Sequence, residues 1–235
     1  MRHLGLRLPQ TYLTRNEDMT SARTRTESRT RSLFALVLVL FTAASFADER
    51  WVEGEHYQTL NPPVAVGHGN DVVVTEFFWY GCGHCYTFEP MLTAWGKQLP
   101  EGAVVKPSPA VWNEPMRMHA KAYFVAKVLE AEATMHPVIF DAMHVQRKRL
   151  TSRLELRDLF EVNGVDPARF DKAFESFGVD SQVRQADARA RSAKISGTPS
   201  LMVAGKYLIE TRSAGSQTNM LEIARFLIDK ELAAR

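Results

Sequence analysis

The chain has 235 residues, of which 45% are hydrophobic, 10% aromatic and 24% charged, a balance that excludes a disordered or collagen-like protein. Its formal charge is +2, yet residues 1–47 carry seven Arg, no Lys and three acids, leaving 22 basic and 24 acidic side chains in the other 188 residues. Nucleic acid, whose phosphates call for clustered Lys and Arg, is therefore not an expected partner.

The amino terminus reads as an export signal. Arg23, Arg25, Arg29 and Arg31 precede the apolar run Leu33–Ala44, which as a helix would span about 18 Å against the roughly 30 Å of a bilayer core. Ser45-Phe46-Ala47 sets small residues where a signal peptidase inspects them, so cleavage is expected before Asp48, with Met19 an alternative start. A retained amino-terminal anchor is the competing reading.

Along the rest of the chain, Asp71–Tyr80 is a β-branched and aromatic run of the kind buried on both faces of a sheet, and a central strand is expected there. Gly81 breaks it. From Cys82 to about Gln98, Phe88, Met91, Leu92 and Trp95 recur at helical spacing, with Pro90 expected to kink the helix. Ala103–Lys106 reads as a second strand, closed by Pro107 and Pro109.

A helical block follows. One helix carries Ala120, Phe124, Lys127, Val128 and Ala131, a second spans Val138 to Val145, and a third carries Leu154, Leu156, Leu159 and Phe160 behind a Thr151/Ser152 cap and ends at Asn163-Gly164. Asp166 caps a fourth, with Pro167 at its first position and Phe170, Phe174 and Phe177 on one face, and Asp180 to Lys194 is a fifth, polar helix. Ser200–Val203 and Lys206–Ile209 then read as a hairpin around Ala204-Gly205, and Ser216 to Ala233 as a last helix. The order is β, β, α, β, helical block, β, β, α, with the first strand not assigned to particular residues.

The two cysteines, Cys82 and Cys85, flank Gly83-His84 where the central strand gives way to a helix. A chain of 188 residues buries about 70% of its unfolded surface and needs no staple, and a bridge between residues three apart closes almost no loop. The pair is better suited to being made and broken. A helix start favours a thiolate by about 0.3–1 kcal/mol, or roughly 2 when partly buried, and a pKa unit is about 1.36 kcal/mol. A second contribution is needed, and His84 is the nearest candidate. Cys82 is read as the exposed nucleophile and Cys85 as the thiol that resolves the mixed disulfide. Zinc wants four ligands, and no second cysteine pair exists, so neither metal nor cofactor is expected.

Two acids stand near this pair. Glu89 follows Cys85 by one helical turn, and Glu76 interrupts an otherwise apolar strand, where burial would raise its pKa and let it exchange protons with Cys85. Gly197-Thr198-Pro199 precedes the penultimate strand, where a cis proline would expose backbone groups to an extended substrate.

With these residues assembled, the chain resembles the DsbA family of periplasmic thiol:disulfide oxidoreductases. The likeness rests on Trp51-Val52-Glu53-Gly54-Glu55-His56-Tyr57, Glu76-Phe77-Phe78, Cys82-Gly83-His84-Cys85-Tyr86, the size of the helical block, and Thr198-Pro199. It implies an α/β fold: a thioredoxin-like fold, a mixed sheet with flanking helices carrying an inserted all-α domain. The expected parts are a thioredoxin-like domain in 48–114 and 195–235, with the insert in 115–194. It further implies a cis Thr198-Pro199 bond, Cys82 as attacking sulfur, and proton handling by Glu76 and Glu89. The implied partners are unfolded or partly folded exported proteins with free Cys, and a DsbB-type, quinone-linked membrane oxidase; the implied state is a monomer in the periplasm. Gly83-His84 replaces the family's commonest Pro-His, Thr198 its valine, and Pro107 stands where some members have lysine. A disulfide isomerase or reductase, or a non-catalytic peptide-binding chaperone, remain as rival readings.

Overall fold

The computed structural model describes residues 50–67 and 69–235. The export signal in 1–47, its cleavage before Asp48 and the Met19 start lie outside the described residues. The strands are β1 (Gln58–Thr59), β2 (Val72–Phe78), β3 (Ala103–Pro109), β4 (Ser200–Val203) and β5 (Tyr207–Glu210), arranged β1-β5-β4-β2-β3. The sheet is mixed, because β2 runs parallel to β3 and antiparallel to β4. The helices are α1 (Gly83–Gly96), α2 (Glu114–Val128), α3 (Glu132–His144), α4 (Arg153–Val162), α5 (Pro167–Phe174), α6 (Phe177–Ser192), α7 (Thr211–Ala214) and α8 (Gln217–Ala233). This is the thioredoxin-like sheet interrupted by a helical insert that the resemblance implies.

Side chains alternate across a strand, and β2 shows it on both faces. Val72 and Val74 pack with Phe88 and Leu92 of α1 and with Ile223 and Leu227 of α8. Phe77 points the other way, into a cluster with Met116 of α2, Ala190 of α6 and Met202 of β4. All seven β2 residues are buried, as the continuous apolar run predicts. By the same alternation Glu76 lies between Val74 and Phe78 on the α1 face. Phe78 and Cys85 join a third cluster with Tyr123, Ile139 and Phe140, so the insert packs directly beneath the cysteine pair.

Several boundaries differ from expectation. Strand β3 runs on through Pro107 to Pro109 because it is an edge strand, bonded on one side only. The amide of Ala110 donates to the Phe78 carbonyl, so in a ladder of alternating donors the nitrogens of Pro107 and Pro109 face the open edge. Helix α3 starts at Glu132 and accommodates Pro137, six residues before the expected start. Phe177 does not share a face with Phe170 and Phe174: α5 stops at Phe174, Ser176 caps a new helix, and Phe177 is 79% exposed under the Arg184 guanidinium. The Ser152 and Asp166 caps are present as the sequence predicts, and Ser152 also closes a capping box with Glu155. Helix α1 is unbroken through Pro90.

Candidate active site

Cys82 is the N-cap of α1, in an extended conformation (φ −90°, ψ 114°), and Cys85 lies one turn in. Both are free thiols, Cys82 half-buried and Cys85 buried. The chain reaches the helix through a turn closed by the Cys82 amide on the Trp79 carbonyl at 3.0 Å. Gly81 is required in that turn, since a Cβ there would come within 2.3 Å of the Trp79 ring. Trp79 is itself anchored through its Nε1, which donates to His119 Nδ1 at 2.9 Å.

The two thiols differ sharply in acidity. Cys82 is lowered from 9.0 to about 5, first by a hydrogen bond from the Cys85 thiol, then, against the opposing cost of burial, by the Thr198 hydroxyl and the backbone N–H groups of Cys85 and His84. When protonated, its Sγ donates to the Thr198 carbonyl at 3.3 Å. Cys85 is pushed far up, by burial first, then by the hydrogen bond it gives Cys82 and by the negative charge of Cys82 and Glu76. The field therefore places the charge on the sulfur that solvent can reach.

The predicted residues occupy this site in different ways. The Thr198-Pro199 bond is cis and sets the Thr198 carbonyl against Cys82. The His84 side chain is exposed, and what residue 84 gives the Cys82 sulfur is its backbone N–H. Its carbonyl accepts from Gln217 Nε2 at 2.7 Å, which ties the cysteine loop to α8. Gly83 is exposed, with open space where a Cβ would be. Glu76 is completely buried and neither carboxyl oxygen has a hydrogen-bond partner among the described residues, so desolvation first, then the charges of Glu89 and Cys82, raise its pKa well above normal. Glu89 turns toward the insert. Burial works to raise its pKa, but the neighbouring His136 and the Thr93 hydroxyl outweigh it and hold the carboxylate below the usual value.

Three contributing residues escaped the sequence reading. The hydroxyl of Tyr80 meets His136 Nδ1 at 2.7 Å, and His144 Nε2 meets the Tyr80 carbonyl at 2.7 Å. Two histidines of α3 thus grip the residue two before Cys82 by its side chain and its backbone. The available signal was the spacing of His136, Phe140 and His144, four residues apart and hence on one helical face.

The comparisons fit this geometry. Residues 101–219 match the DSBA-like thioredoxin domain. The chain is 33% identical over 195 residues to the thiol:disulfide interchange protein DsbA of Pseudomonas aeruginosa, covering 83% of this chain and 92% of that one. It is 36% identical over 182 residues to DsbA of Azotobacter vinelandii, covering 77% and 85%. The crystal structure of Pseudomonas aeruginosa DsbA superposes with a TM-score of 0.76 at 33% identity, over 80% of this chain and 97% of that one. With a dithiol at a helix start, a cis proline opposite it and a helical insert in a mixed sheet, the chain belongs to the DsbA family.

Proposed function

We propose that this protein is a dithiol oxidase that donates its Cys82–Cys85 disulfide to proteins newly exported to the periplasm. The observation that carries the reading is the contrast between the two sulfurs: Cys82 half-exposed and lowered to about 5, Cys85 buried and pushed up. A thiolate stabilised in the reduced form makes the disulfide easier to reduce, which drives electrons from substrate to enzyme. A substrate thiolate attacks Cys82 Sγ and breaks the Cys82–Cys85 bond. Cys85 leaves with the electron pair and takes a proton, in this reading from Glu76. The second substrate thiolate attacks the substrate sulfur of the mixed disulfide, and Cys82 departs as a thiolate. The substrate loses two electrons and two protons, and the enzyme holds the electrons as its dithiol.

The same reading assigns Glu76 and Glu89 to proton handling, Gly83 and His84 to the cysteine loop, and Thr198-Pro199 to the floor against which an extended substrate lies. It divides the exported chain into a thioredoxin-like domain (48–114 and 195–235) and an insert (115–194), monomeric and reoxidised by a DsbB-type membrane partner. The leader in 1–47 supplies the route to the periplasm. Among the described residues, no helix is long and apolar enough to cross a membrane.

The test is to mix the oxidised protein with a reduced, unfolded substrate and to equilibrate the pair against glutathione. Transfer of the disulfide, abolished by Cys82→Ser, is the expected result. A potential as low as thioredoxin's, roughly −270 mV, would overturn the oxidase direction in favour of a reductase or isomerase. Unaltered support of substrate folding by Cys82→Ser would favour a peptide-binding chaperone.

A further inference from the structure

One buried imidazole joins the active-site helix to the insert. His136, in the second turn of α3, is 9% exposed and is enclosed by the rings of Phe78, Tyr123 and Phe140, with centroids 5.1–5.8 Å away. Its Nδ1 meets the Tyr80 hydroxyl at 2.7 Å, and its Nε2 lies 3.3 Å from Glu89 Oε2, an ion-pair contact whose geometry falls short of a hydrogen bond. An ionised carboxylate only accepts, so Nε2 carries the proton, and in the neutral ring the Tyr80 hydroxyl donates to Nδ1. The order is carboxylate, imidazole, hydroxyl, drawn from α1, α3 and the loop after β2.

The titratable groups around this ring are Tyr80 in the loop after β2, Glu89 on α1 and Tyr123 on α2, while Glu76 of β2 feels the charge of Glu89. Glu132, on α3 itself, accepts from the Tyr123 hydroxyl at 2.9 Å. Glu89 is thus the carboxylate with an imidazole beside it, and Glu76 is the one whose oxygens have no hydrogen-bond partner among the described residues. Two acids near one another cannot both ionise cheaply, so whatever holds the charge on Glu89 keeps the proton on Glu76.

We propose that His136 is a positioning residue for disulfide exchange: by bridging Tyr80 and Glu89 it fixes the anion on Glu89, and so keeps Glu76 loaded with the proton that Cys85 takes up. This rests on the oxidase reading above. The proton that Glu76 gives the departing Cys85 sulfur leaves a carboxylate, which is recharged by a proton released as the substrate thiols are oxidised. The raised pKa of Glu76, with burial as its first cause and Glu89 as its second, agrees with this arrangement.

The test is the pH profile of the rate at which a small dithiol reduces the oxidised protein, corrected for the ionisation of the attacking thiol. In the wild type the rate falls on the alkaline side as Glu76 ionises. His136→Leu is expected to move that limb to lower pH by about one unit, the size of one nearby charge removed. His136→Asn, which cannot reach Glu89 but disturbs packing less, moves it in the same direction. His136→Gln, whose amide can still donate to Glu89 and accept from Tyr80, restores it. Glu89→Gln alone gives the same shift as His136→Leu, and the double variant adds nothing. A limb unmoved in both His136→Leu and His136→Asn, or additive shifts in the double variant, overturns the assignment. A wild type that transfers no disulfide would instead sink the oxidase reading, which keeps the two failures distinct.

Discussion

The Cys82 sulfur lies 3.3 Å from the carbonyl oxygen of Thr198, a residue 116 positions later in the chain. The same threonine supplies a hydroxyl to the sulfur once it ionises. Removing that hydroxyl while keeping the carbonyl isolates its share. A hydrogen bond to a charged group contributes about 1.5–3 kcal/mol, and half-exposure of the sulfur reduces it. Thr198→Val is therefore expected to raise the Cys82 pKa by about one unit, read from the ultraviolet absorbance of the thiolate, and to make the disulfide about 30 mV less oxidising. An unchanged titration would remove the hydroxyl from the account.

The depressed Cys82 pKa also has a signature in stability. The folded value of about 5 lies below the ordinary 9.0, so between these limits the unfolded chain binds more protons and the stability of the reduced form rises with pH. That contribution is lost as pH falls through about 5. Cys85 acts with the opposite sign, because its raised value costs stability once the pH exceeds that of an unfolded thiol. The oxidised protein has neither thiol and serves as the reference. Thermal unfolding of both redox forms should show the reduced form gaining on the oxidised one from acid to neutral pH. Parallel curves would contradict the thiolate assignment.

Glu76 should be a stability cost maintained for chemistry. Its carboxyl is fully buried without a hydrogen-bond partner among the described residues, and its pKa is raised by burial first. Its folded value exceeds the unfolded one, so stability is present below about the ordinary carboxylate value of 4.5 and is lost as pH rises through the folded value. Glu76→Leu, close in volume, should stabilise the protein by about 1–3 kcal/mol at neutral pH and flatten this part of the pH dependence. Disulfide transfer by the same variant should slow. A destabilised Glu76→Leu protein, or one that exchanges at the wild-type rate, would count against a proton-carrying role.

How much of this was legible in the sequence depended on the range of the interaction. Local signals carried the β2 run, the Ser152 and Asp166 caps, the Ala204-Gly205 hairpin turn and the cysteine pair at a helix start, because each is decided within a few residues. Glu76 was legible as a charge in an apolar run. The Tyr80–His136 and Tyr80–His144 contacts were not, since they join residues 56 and 64 positions apart through packing of α3 on the cysteine loop. The extension of β3 through Pro107 was hidden for a related reason: an edge position is a property of the sheet, and only there can a strand spare the donor. Phe177 was misplaced because a periodic pattern continues on paper across the helix break that Ser176 enforces.

Gly83 offers a last test of how the cysteine loop is built. It is the first residue of α1, is exposed, has open space at the Cβ position, and follows a cysteine in extended backbone at φ −90° and ψ 114°. Proline suits the first helical position, where no intrahelical bond needs its N–H, and it requires an extended residue before it. The N–H groups that act on the Cys82 sulfur belong to His84 and Cys85, so none is lost on substitution. Gly83→Pro should therefore fold, gain about 0.4–1 kcal/mol by restricting the unfolded chain, and leave the Cys82 titration near about 5. Thermal unfolding and thiolate absorbance read the two effects separately. A variant that is destabilised, or whose Cys82 pKa returns toward 9.0, would show that the residue 83 amide contributes to the site after all.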